Sequence, residues 1–82
     1  RVFPNPVSDQ LTLSLELKEG VYLTMDLYNN LGQQVRALHQ GQVGSGQTTI
    51  QFGRLEDLSP GLYYLRIHSA EGGVNTFPFV KN

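Results

Sequence analysis

The sequence contains no cysteine, which excludes disulfides and thiolate-bound metals outright. Charge is scarce as well. Six basic and seven acidic side chains leave a net charge of −1. Cations so few and scattered build no basic patch, so nucleic acid is not an expected partner. No apolar run approaches the length of a membrane span, and no direct insertion into a bilayer is expected. A convincing helical period, an internal repeat and a low-complexity tract are all missing too. What remains is a chain of 82 residues, 39% of them hydrophobic. That length fits one domain, residues 1–82, and that apolar content suffices for a folded core. The chain begins at Arg1 rather than Met and reads as a piece of a longer protein.

What is present is period-2 alternation. Residues 11–17, Leu-Thr-Leu-Ser-Leu-Glu-Leu, place four leucines on one face of a strand, whereas helical spacing scatters them around the cylinder. After Lys18-Glu19-Gly20 the pattern resumes, with Val21, Leu23, Met25 and Leu27 facing one way. The two segments read as a hairpin. Asn29 to Gly32 is a second turn, and Gln33 to Gln42 a third strand with Val35 inward. Ala37-Leu38 breaks its parity and predicts a bulge or an edge. Gly41 to Gly46 reads as a glycine-rich loop. Thr48, Ile50 and Phe52 share a face on the next strand, and the following loop tucks Leu55 or Leu58 beneath the sheets. Tyr63, Leu65 and Ile67 line the next strand, and Phe77 and Phe79 the last one. Pro78 donates no ladder hydrogen bond, so that last strand lies at an edge or uses Pro78 on its unpaired side. Val2-Phe3 reads as a short additional strand. The expectation is an all-β, immunoglobulin-like antiparallel sandwich of about seven short strands. Its predicted core is Leu11, Leu13, Leu15, Leu23, Met25, Leu27, Val35, Ile50, Phe52, Tyr63, Leu65, Ile67, Phe77 and Phe79.

Leu58-Ser59-Pro60-Gly61 leads into Leu62-Tyr63-Tyr64. Pro60 fixes one turn angle, and Gly61 permits a backbone conformation that side chains disfavour. Tyr63 then falls where the tyrosine corner of immunoglobulin-like sandwiches sits, with its hydroxyl reaching backbone a few residues upstream.

Catalytic chemistry finds no foothold. His39 and His68 lie on separate strands with no ligand or acid–base partner at spacing, and read as surface histidines. Asp9, Asp26 and Asp57 are dispersed and form no oxygen-rich calcium repeat. No serine has a partner base or a nucleophile elbow, and Gly41 to Gly46 lacks the Lys-Ser/Thr ending of a phosphate loop. No catalytic residue, metal or cofactor is assigned. Tyr22, Tyr28 and Tyr64 fall off the core parity. They either cover neighbouring strands as cross-strand pairs or form an aromatic platform for a sugar or protein partner.

Four short motifs recur in order: Pro4-Asn5-Pro6 at the start, Leu31-Gly32-Gln33 with Val35 after the second long strand, Leu58 with Gly61 and Tyr63 at the corner, and Lys81 closing the last strand. Over nearly the full chain this series resembles the C-terminal sorting domains, type A, of the type IX secretion system of Bacteroidota. The resemblance implies a non-catalytic export signal at the end of a secreted protein. Its partners are then the secretion machinery of the periplasm and outer membrane, and a cargo domain upstream. The cargo reaches the medium or the cell surface through the periplasm, and the signal is commonly removed on surface attachment. Implied motif residues are Pro4, Asn5, Pro6, Leu31, Gly32, Gln33, Val35, Gly61, Tyr63 and Lys81, with Lys81 expected as an exposed basic side chain. The alternative is an immunoglobulin-like spacer or carbohydrate-binding module that uses the outward tyrosines.

Overall fold

The computed structural model describes residues 1–82. Seven strands follow in order: β1 (Val2–Phe3), β2 (Leu11–Leu17), β3 (Val21–Asn29), β4 (Gln34–Val43), β5 (Gly46–Phe52), β6 (Gly61–Ser69) and β7 (Val74–Lys81). The only helical element is one 3₁₀ turn, Leu55–Asp57. A three-stranded sheet, β1-β2-β5, faces a four-stranded sheet, β4-β3-β6-β7, and every strand pairing is antiparallel. Pairing β2 with β5 in one sheet, and β3, β6 and β7 in the other, is the immunoglobulin arrangement.

The alternating segments form strands as their periodicity requires, but one pairing differs from expectation. β2 and β3 are not a hairpin. Lys18 to Gly20 carries the chain from one sheet to the other, so the leucines of β2 face those of β3 across the core instead of sharing a sheet with them. The glycine-rich loop is also shorter than expected. Gly41 continues β4 and Gly46 opens β5, leaving only Gly44 and Ser45 to cross between the sheets. Sheet pairing holds Gly41 in β4 despite its propensity for turns, and Gly46 enters β5 at φ 98°.

Thirteen buried apolar residues form one core between the sheets. Leu11, Leu13, Leu23, Met25, Leu27, Phe52, Tyr63, Leu65, Ile67 and Phe79 are there as the alternation predicts. Leu15, Ile50 and Phe77 pack at its margin, half-buried. Val7, Val43 and Leu55 complete it, Leu55 being the residue that the loop after β5 tucks under. Val35 is a correction. The ladder pairs Leu27 with Arg36 and Tyr28 with Gln34, so Val35 is an extra residue on β4 without an opposite number and stays 39% exposed. A second shift pairs Met25 with His39 and Asp26 with Ala37. Leu38 is the bulged residue there, at the predicted disturbance. β4 and β7 are the edges of the larger sheet, and Pro78 sits on the latter as expected.

Candidate functional site

The strand directions bring all four motifs to one end of the sandwich. β1, β3, β5 and β7 finish there, and β2, β4 and β6 begin there. Pro4-Asn5-Pro6, the turn after β3, the corner before β6 and the last residue of β7 are thereby neighbours, although the sequence separates them by up to 77 positions. The opposite end holds only the turns at 18–20, 44–45 and 70–73.

The corner is a tyrosine corner. The Tyr63 hydroxyl donates to the Ser59 carbonyl at 2.7 Å, and its ring stacks on Phe79 with centroids 5.9 Å apart. Gly61, at φ 151°, makes the bend into β6. Opposite it in the ladder lies Lys81. Lys81 is not the exposed lysine expected from the sequence; it is 6% exposed. Strand parity explains the difference. Positions 77, 79 and 81 face inward together, which turns the aliphatic stem of Lys81 toward the core. Its ammonium donates to the Asn82 carbonyl at 2.6 Å.

The segment from Pro4 to Ser8 joins the two sheets. It leaves β1 in the smaller sheet and reaches β7 at the edge of the larger one, where Val7 forms a parallel bridge to Lys81. The Phe3–Pro4 and Asn5–Pro6 peptide bonds are both cis. The Val80 amide donates to Asn5 Oδ1 at 2.9 Å, the Val7 amide to the Val80 carbonyl at 2.7 Å, and the Asn82 amide to the Val7 carbonyl at 2.8 Å. The Val7 side chain is fully buried and plugs this end of the core.

The turn after β3 is held by Asn29. Its Oδ1 accepts from the amides of Leu31 at 2.9 Å and Gln33 at 3.0 Å, and its Nδ2 donates to Gln33 Oε1 at 2.9 Å. Gly32 takes φ 81°, which a side chain resists. Leu31 stands at the tip, 78% exposed. The turn after β6 repeats this geometry. The Ser69 amide donates to the Gly73 carbonyl as Asn29 does to Gln33, Gly72 to Ser69 as Gly32 does to Asn29, and Glu71 to Ser69 Oγ as Leu31 does to Asn29 Oδ1. The residue matching Leu31 there is Glu71, so the turn itself does not require an apolar tip.

Of six large apolar residues that remain exposed, Leu31, Val35, Leu62 and Val80 lie at the motif-bearing end. Leu62 and Val80 are opposite each other in the ladder. A shallow groove beside them is lined by Asn30, Val35, Leu58, Pro60 and Leu62. Arg36 anchors its far wall, donating to the Arg54 carbonyl at 2.7 Å and to Asp57 Oδ1 at 2.6 Å. Chiefly through that hydrogen bond, Arg36 holds the Asp57 carboxyl below its ordinary pKa of 3.8.

The outward tyrosines form no single platform. Tyr28 and Tyr64 oppose each other on β3 and β6, half-buried, with the Arg66 guanidinium 5.5 Å from the Tyr28 ring. Tyr22 is six residues away along β3, roughly 20 Å at strand rise. His39 and His68 are both half-buried rather than on the surface, and the His39 Nε2 is enclosed and unpartnered. No three His, Cys, Asp or Glu side chains are grouped as metal ligands.

Sequence reasoning missed Val7 and Asn29. Asn29 carries a readable signal, an Asn three residues before a Gly in a turn. Val7 carries none, because its burial depends on a bridge to residue 81.

Comparison with known families agrees with the motif series. The family model described as the secretion system C-terminal sorting domain matches residues 1–81, and the chain belongs to that family. No curated protein matches the chain. The domain is a C-terminal sorting signal for type IX secretion, and membership implies a secreted or cell-surface protein and a non-catalytic role.

Proposed function

We propose that this sorting domain is read at its motif-bearing end, and that the exposed apolar residues there, Leu31 foremost, contact the type IX machinery. The observation that carries the reading is the pair of matching turns. One geometry is built twice, once with Glu71 at the tip and once with Leu31. Exposing a leucine offers nothing to the fold, whereas an apolar tip beside Val35, Leu62 and Val80 suits a partner that removes it from water. Pro4, Asn5, Pro6, Gly32, Gln33, Gly61, Tyr63 and Lys81 act as the frame that holds this end in shape. On this reading the chain is one domain behind an upstream cargo, which passes through the periplasm before the signal is removed at the surface.

The test is a secreted reporter fused ahead of residues 1–82 in a type IX-competent cell. The fusion is expected in the medium or on the cell surface. Leu31→Glu is expected to unfold at the same temperature as the parent, since Leu31 is 78% exposed, and to retain the reporter in the periplasm. Undiminished export of Leu31→Glu places recognition elsewhere on the domain.

A further inference from the structure

The Pro4–Val7 segment and the last residues of β7 are bonded in a way that β-sheet pairing does not require. Antiparallel pairing with β6 uses one side of β7. Both backbone groups of Val80 are engaged on the other side, its amide by Asn5 Oδ1 and its carbonyl by the Val7 amide. The Asn82 amide then closes on the Val7 carbonyl. The Val80 amide is a donor, and the segment meets it with the side-chain acceptor of Asn5 rather than with a main-chain carbonyl. Asparagine is short enough to bring its carbonyl back to the strand edge. Asn5 is otherwise exposed, and no bond of its Nδ2 accompanies the one that Oδ1 accepts.

We infer that Asn5 is a positioning residue of the sorting signal: it clasps the Val80 amide and so fixes the end of β7 for recognition. The inference rests on the reading of this end as the recognised surface. The clasp acts on the open side of an edge strand. A terminal edge strand frays unless it is tied on its open side. Val80 presents its side chain to solvent beside Leu62, so fraying of Val80 moves part of the apolar patch itself. The opening motif of the chain thus works through the closing one, 75 residues away.

The experiment compares Asn5→Ala and Asn5→Asp with the parent chain by amide hydrogen exchange and by export of the reporter fusion. Asn5→Ala is expected to speed exchange at Val80 and Asn82 by about tenfold relative to Leu65, the loss of one hydrogen bond, and to reduce export. Asn5→Asp keeps the acceptor and is expected to restore both. Lost export with Val80 protection intact overturns the inference, because Asn5 is then read directly. Rapid Val80 exchange with full export also overturns it, as does an Asp variant that regains protection but not export. Retention of the unmutated fusion overturns the export reading and the inference together, and that control separates the two failures.

Discussion

Removing the Tyr63 hydroxyl tests the corner at a single atom. Tyr63→Phe keeps the ring, its 5.9 Å stacking on Phe79 and its place in the core. It deletes only the 2.7 Å bond to the Ser59 carbonyl. The expected cost follows from what becomes of that carbonyl. If it were sealed from solvent, the unpaired acceptor would cost up to about 3 kcal/mol. Ser59 is exposed, so its carbonyl can take up water, and the net loss is that of an ordinary hydrogen bond, about 1 kcal/mol. For a domain of this size, that lowers the melting temperature by roughly 4–8 °C. Thermal and urea unfolding, followed by circular dichroism, measure the change. Ser59→Ala is the companion variant. The acceptor is main chain, so that substitution is expected to leave the midpoint within about 0.5 kcal/mol of the parent. An unchanged midpoint in Tyr63→Phe refutes the corner as a stabilising bond and leaves Tyr63 a packing residue. A loss well above about 3 kcal/mol refutes the rehydration argument.

Lys81→Ala is expected to destabilise the domain by about 1–2 kcal/mol through lost burial of the stem, offset in part by side-chain entropy. Lys81→Met, which keeps the stem, is expected to recover most of it; chemical denaturation of the two variants decides, and equal stability of Ala and parent contradicts the packing assigned to the stem. Asp57 has a folded pKa below 3.8 because of Arg36. The contribution of this pair is therefore complete above pH 3.8 and is lost as the pH falls through the lower folded value. Carboxyl titration by NMR is expected to show the Asp57 midpoint rising toward 3.8 in Arg36→Ala, and an unmoved midpoint removes Arg36 as the cause.

The strands, the corner and the motif series are legible in the order of residues alone. Leu11 to Leu17 and Val21 to Leu27 alternate without a break, and alternation is local, so the side chains that face the core are legible from spacing alone. The Pro60-Gly61 bend and Tyr63 two residues later are equally local, and the bond to Ser59 spans four residues. The bulge at Leu38 was visible as broken parity. Which sheet each strand joins was not visible. Lys18 to Gly20 has the composition of a hairpin turn, yet it crosses between sheets, because β2 finds β5 and β3 finds β6 through contacts distant in sequence. The second bulge hid in the same way. Val35 continues an apolar pattern, and only the ladder with β3 shows it to be unpaired. Lys81 read as exposed from its charge, but the parity of β7 turns its stem inward. The site is decided by tertiary structure most of all. Its four motifs are separate and weak along the chain, and the alternating directions of seven strands deliver them to one end. There Asn5 and Val80 meet across 75 residues, a distance over which no local pattern carries information.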